Sequence, residues 1–183
     1  MDEVELVSHD PAWAALYEAE ADRLRAALPE GLVLRMEHFG STAVPGLLAK
    51  PVIDILVAVS SVEEARETAV GPLEALGYAF WAENPRRHRL FFVKGLPPRA
   101  PRRTHHVHMI EPSAEMWDLL LFRDILRADP EEVARYAALK RELAVRHRED
   151  REAYTEAKAA HVAAVLAQAR GSAAGVGDPP AAP

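Results

Sequence analysis

Apolar residues recur at helical spacing from Trp13 through Leu16, Tyr17, Leu24 and Leu28, with polar residues between them. Asp10-Pro11 supplies a helix start, an N-cap carboxylate followed by a proline where a missing N–H costs nothing, and Pro29 to Gly31 supplies the stop. A helix is therefore predicted over residues 11–28, preceded by a short edge strand at Val4-Glu5-Leu6-Val7. Residues 32–39 alternate as a strand, which Gly40-Ser41 breaks. After Pro51 the pattern becomes a nearly continuous β-branched apolar run, residues 52–59, the signature of a central strand buried on both faces; its single interruption is Asp54. Ser61 and Glu64 form a capping box for a helix to Leu76, with Gly77 as its stop. Strands follow over residues 78–83, 89–94 and 104–111, and helices over 114–127, 130–147 and 150–168. Trp13, Trp81 and Trp117 fall at positions that read as core, and the Gly/Ala/Pro-rich residues 171–183 read as a disordered tail. This order predicts an α+β (mixed α/β) fold, a mixed sheet flanked by helices with a C-terminal group of about three, in one domain over residues 1–170.

Composition narrows the chemistry. The chain has no cysteine, which excludes disulfides and thiolate metal sites. No apolar run approaches the about 20 residues of a membrane span, and the first residues are acidic, so a cytoplasmic protein without a membrane partner is expected. A net charge of −6 argues against general nucleic-acid binding. The charge is uneven, however. Residues 84–110 contain no acid, but hold Arg86, Arg87, Arg89, Lys94, Arg99, Arg102 and Arg103 together with His88, His105, His106 and His108. A basic segment on an acidic chain predicts either a local anion site or a solvated basic hairpin.

The stretch from His38 to Val57 carries the most chemistry. A glycine lets a phosphate approach the backbone, and the Ser41 hydroxyl adds a donor beside exposed N–H groups. A carboxylate among β-branched residues is costly to bury unless it meets a cation or several donors. A phosphate cradle and a metal-binding carboxylate are the two halves of a nucleoside-triphosphate site. On the strand over residues 104–111, His106 and His108 share a face and His105 takes the other; a His-x-His pair ligates a transition metal if a third ligand converges, or else contacts an anion. Lys50 precedes the Asp54 strand, and Arg89 and Lys94 sit at the two ends of another, where either clamps a phosphate. No Walker loop, Rossmann glycine set or Ser-His-Asp pattern is present.

The words Glu37-His38-Phe39-Gly40-Ser41-Thr42-Ala43-Val44-Pro45-Gly46 and Lys50-Pro51-Val52-Ile53-Asp54-Ile55-Leu56-Val57, with Phe91-Phe92-Val93-Lys94-Gly95, Thr104-His105-His106-Val107-His108 and Tyr136-Ala137-Ala138-Leu139-Lys140, resemble the GrpB family. The Gly-Ser turn and strand Asp resemble the signature of the polymerase-β-like nucleotidyltransferase superfamily. The resemblance implies a nucleotidyltransferase-like fold binding a small phosphorylated ligand, a nucleotide, with possible transfer of a nucleotidyl group to an acceptor. It implies that Gly40 and Ser41, with Thr42 beside them, hold phosphates; Lys50, read from its position as a partner of Asp54 or of a phosphate or else as a surface lysine, and Arg89 and Lys94 are the further phosphate-binding candidates. Asp54 would hold Mg²⁺, and His106, His108 or Glu111 would complete the metal set or activate a hydroxyl acceptor; Zn²⁺ or another transition metal at His106/His108 is the alternative cofactor. Active members of the superfamily usually carry two carboxylates at alternate positions of this strand, whereas here Val52 and Leu56 flank Asp54. Two other readings keep the fold: a ligand-sensing or interaction module without chemistry, and a His-x-His metal-dependent hydrolase.

Overall fold

Short polar residues set the helix starts. In the computed structural model, which describes residues 4–97 and 100–174, Asp10 Oδ1 accepts the Ala12 N–H at the start of α1 (Ala12–Ala27). Ser61 Oγ accepts the Glu64 N–H at α2 (Val62–Thr68), and Ser113 Oγ the Met116 N–H at α4 (Ala114–Ala128). Asp129 receives two N–H groups of α5 (Pro130–Arg146), and Asp150 two of α6 (Arg151–Ala157). Each cap satisfies donors that the first helical turn leaves unpaired.

Five strands make one mixed sheet in the order β1-β2-β5-β4-β3: β1 Val33–Phe39, β2 Ile53–Val59, β3 Tyr78–Phe80, β4 Arg89–Lys94 and β5 His105–Ile110. Only β2 and β5 run parallel; the other neighbours are antiparallel. The apolar run of β2 occupies the centre, as its composition predicts. Ile53, Ile55, Val57 and Val59 pack with Trp13, Leu24, Leu73, Phe92 and Met109 beneath α1 and α3 (Val70–Ala75). On the opposite face Leu56, Ala58 and Ile110 meet Met116 and Leu120 of α4. These contacts cover one end of that face, and Asp54 lies towards the other end of β2.

Several elements differ from the sequence expectation. Val4 to Val7 forms no strand; a single antiparallel bridge joins Val7 to Ala49. The helix after Ser61 breaks at Ala69, because Pro72 cannot donate to the carbonyl four residues back. Strand β3 ends at Phe80 rather than residue 83. The last predicted helix is two, α6 and α7 (Ala159–Ala174), so the C-terminal group holds four among the described residues. Helix α7 also runs through Gly171, where a tail was expected; residues 175–183 lie outside the described residues. Trp13 is buried, but Trp81 and Trp117 are 41% and 50% exposed, so neither is core. Trp117 instead lies beneath the Arg35 guanidinium.

Candidate functional site

Strand register assembles the site. Asp54 stands opposite Phe39 on one side and His106 on the other. Alternation along β5 then turns His106 and His108 to the face that carries Asp54, and His105 to the α1 face. His106 Nδ1 donates to Asp54 Oδ1 at 2.9 Å, and His108 Nε2 lies 4.0 Å from the same oxygen. One ligand atom from each of the three side chains lies within 4.8 Å of the others. All three groups are partly buried. Phe91 packs against both imidazoles, with centroids 5.1 and 4.6 Å away, and Phe39 closes on His108 at 5.2 Å.

The electrostatics suit a cation. Burial raises the Asp54 carboxyl, but the hydrogen bond from His106 and the charges of His106, His108 and Lys50 outweigh it and hold the group below its ordinary value. Burial pushes His108 down to about 3, so its imidazole is neutral at pH 7. His106 Nε2 and His108 Nδ1 are buried without a hydrogen-bond partner. A first-row cation with bonds of about 2.0–2.2 Å holds neighbouring donors roughly 3 Å apart. The Asp54–His106 spacing already meets this, while His108 Nε2 stands farther off, at 4.0 Å from Asp54 Oδ1.

Gly40 has a specific reason to be glycine. Its φ of 70° and ψ of −170° fall where residues with a side chain are strongly disfavoured. A Cβ there would lie 2.6 Å from Asp54 Oδ2 and 3.1 Å from Asp54 Cβ. The space on the Cβ side of the glycine is therefore taken by the carboxylate of the next strand. Two arginines of α4 hold the turn: Arg123 Nη1 donates to the His38 carbonyl and to Glu37, and Arg127 Nε donates to the Ala43 carbonyl.

The other predicted residues divide. Ser41 follows Gly40 in a 3-10 turn, Ser41–Ala43, and is half-buried. Thr42 is buried and committed to structure: its hydroxyl donates to the Val52 carbonyl and so accepts from His38 Nε2–H at 3.0 Å. Burial, opposed by Asp54, leaves the His38 group at about 4, and its neutral ring stacks on Tyr17. Lys50 is half-buried, its Nζ 5.2 Å from the centre of the Tyr154 ring. Arg89 does not offer a free clamp, since it is buried against Glu115 at 2.9 Å. Lys94 pairs with His105 in the sheet, which turns it to the α1 face, where it meets Glu20 at 2.6 Å. Glu111 lies past the end of β5 and accepts the Val62 N–H at the start of α2, so it is not with the histidines. Arg86 and His88 also gather on Glu115, and Arg99 lies outside the described residues. The basic segment thus spends much of its charge on local pairs.

Three further residues were given no site role by the sequence reading, although Lys140 closes one of the words that carry the family resemblance. Lys140 of α5 is buried, donates to the Leu48 carbonyl and lies over the Tyr136 ring; Lys158, between α6 and α7, has its Nζ 4.3 Å from the centre of the Tyr154 ring. Tyr154 itself is fully buried. The available signal was Lys140 standing on the apolar face of α5 with Tyr136 and Leu143. Lys158 had none.

Comparison with known proteins agrees with this architecture. The profile described as GrpB protein matches residues 3–168. A Pseudomonas aeruginosa protein of the UPF0157 group is 50% identical over 92% of this chain and 68% of its own length. A crystal structure of conserved protein GrpB from Enterococcus faecalis superposes with a TM-score of 0.78 at 34% identity, covering 90% of this chain and 96% of that one. A dephospho-CoA kinase from Mycolicibacterium paratuberculosis is 35% identical over 85% of this chain, which spans only 43% of the kinase. The chain belongs to the GrpB family.

Proposed function

We propose that this GrpB protein binds a small phosphorylated ligand, a nucleotide, through one divalent cation held by Asp54, His106 and His108. The convergence of those three donors, from two parallel strands onto one sheet face, carries the reading. Similarity to a dephospho-CoA kinase supports a ligand of the nucleotide class. Two imidazoles and one carboxylate suit Mn²⁺, Zn²⁺ or Ni²⁺ better than Mg²⁺, which prefers an all-oxygen shell.

When bound, such a cation supplies Lewis-acid polarisation of a phosphoryl oxygen. The chain's own part is to hold and orient. Asp54, His106 and His108 would hold the cation, His108 offers a neutral imidazole, and the Gly40 turn packs against the Asp54 carboxylate. Ser41 lies beside this turn as a hydroxyl donor, and Lys50 supplies a cation on the flank. With Val52 and Leu56 buried and apolar beside Asp54, β2 offers one carboxylate, which suits one cation and not a two-metal centre. The reading is therefore single-cation binding and activation of a phosphoryl group.

Calorimetric titration with Mn²⁺ and Zn²⁺, followed by nucleotide on the loaded and EDTA-treated protein, tests it. Metal binding lost in Asp54→Asn and in His106→Gln, with nucleotide binding tightened by metal, is the expected outcome. Nucleotide binding indifferent to metal and to Asp54→Asn would overturn it and favour the ligand-sensing alternative.

A further inference from the structure

We propose that Lys50 and Lys158, which share the Tyr154 ring, together with Lys140 beside them, form a second subsite that takes a chain of phosphates extending from the ligand at Asp54. This deepens the proposed function and assigns the oligophosphate part of the ligand to the loop before β2 and the C-terminal helices rather than to the Gly40-Ser41 turn. Three separate parts of the chain bring the amines together: the loop before β2, helix α5 and the α6–α7 junction. Lys50 and Lys158 lie over the same ring, at 5.2 and 4.3 Å from its centre. Lys140 donates to the carbonyl of Leu48, two residues before Lys50. The loop that presents Lys50 is pinned by Val44 and Leu47 against Leu126 and Tyr136, and by the Val7–Ala49 bridge, so its position is set by the core.

Concentrating amines in a partly buried place costs energy unless an anion is present. The effect of neighbouring cations is visible in each group: Lys158 acts on Lys50 and Lys140, Lys50 on Lys140, and Arg151 on Lys50 and Lys158. Burial and then neighbouring cations lower Lys50 to about 7, Lys140 to about 6 and Lys158 to about 8. Asp54 opposes the shift at all three. Occupation of Asp54 by a cation withdraws that compensation, which a polyanion reaching from the cation to the lysines restores. Tyr154 provides a ring face that attracts the ammonium groups and keeps them apart from bulk water. Lys140, fully buried and bonded to backbone, sets the floor, while the half-buried Lys50 and Lys158 meet the ligand.

The probe is inorganic tripolyphosphate, titrated into the full chain in EDTA by calorimetry, so that no metal takes part. The wild-type protein is expected to bind it, with binding weakened roughly tenfold or more in Lys158→Gln and in Lys50→Gln. Affinity in Arg86→Gln is expected to stay within about twofold of wild type, because Arg86 sits against Glu115 and does not belong to this subsite. Circular dichroism and the melting temperature confirm that each variant is folded. Absence of tripolyphosphate binding in the wild type, or equal affinity in a folded Lys158→Gln, overturns the subsite even where Mn²⁺ binding at Asp54 holds. Conversely, metal-free tripolyphosphate binding that depends on Lys158 supports the subsite even where Mn²⁺ fails to bind.

Discussion

The α-carbon of Gly40 faces the Asp54 carboxylate so closely that an added methyl would lie 2.6 Å from Oδ2. Both the backbone angles and the space require glycine there. Gly40→Ala is expected to destabilise the fold by about 2–4 kcal/mol, measured by urea unfolding. In an Asp54→Ala background the nearest contact is gone while the backbone strain remains. The Gly40→Ala penalty should then shrink by more than about 0.5 kcal/mol, and an unchanged penalty would show that the two residues are not coupled.

His38 should make stability fall in mild acid. Its folded group sits at about 4, against 6.5 for a free imidazole. Below pH 6.5 the unfolded chain takes up a proton that the folded chain refuses until about pH 4, so stability drops as pH falls through that window. At pH 5 the contribution is about 2 kcal/mol relative to neutral pH. Urea midpoints at pH 7 and pH 5 should converge by that amount in His38→Gln relative to wild type; equal slopes would mean that His38 titrates normally.

Arg123 ties α4 to the Gly40 turn through buried bonds to Glu37 and the His38 carbonyl. Arg123→Met leaves the His38 carbonyl without its side-chain donor and Glu37 with Arg35 alone, and should cost about 2–4 kcal/mol. The exposed Arg146–Glu142 pair provides the contrast, since Arg146→Met should cost about 0.5 kcal/mol or less. Comparable losses in the two variants would remove the case for Arg123 as the brace. A folded Arg123→Met should also bind Mn²⁺ more weakly, because Asp54 loses its backing.

Tripolyphosphate binding should take up protons. Lys50 faces Arg103, Arg151, Lys158 and Asp54; Lys140 faces Lys50, Lys158 and Asp54; Lys158 faces Arg151 and Asp54. Groups lowered to about 7, 6 and 8 are partly neutral at pH 7.5, and a polyanion draws them back to the charged form. Binding therefore tightens as pH falls from 8 towards 6, with uptake of about one proton at pH 7.5. Calorimetry in buffers of different ionisation enthalpy reads the number directly, and zero uptake would contradict the depressed amines.

Much of the local structure was legible without coordinates, because caps, turns and alternation act over a few residues. Asp10-Pro11, Ser61, Ser113, Asp129 and Asp150 mark helix starts by bonding N–H groups two or three positions away. The burial of β2 followed from its own composition, and the Asp54 interruption singled out the carboxylate that meets His106. Strand parity alone also separates Arg89 from Lys94, five positions apart and hence on opposite faces, so a shared phosphate clamp was already excluded by alternation. The exposed Trp81 and Trp117 show the converse, that a large apolar residue inside an element does not say which way that element faces.

The sequence by itself determined most of the helix starts, the central strand and the place of Asp54 in it. Only the tertiary structure decided what stands around that carboxylate. Asp54 and His106 are 52 residues apart and meet through the parallel β2–β5 register, which no local periodicity encodes. Lys140 reaches a carbonyl 92 residues away, and the break that seats Lys158 over Tyr154 falls where the chain has neither glycine nor proline. Gly40 shows both levels at once. As a turn residue it was readable from the chain, whereas its steric partner, the Asp54 carboxylate, was supplied by strand pairing.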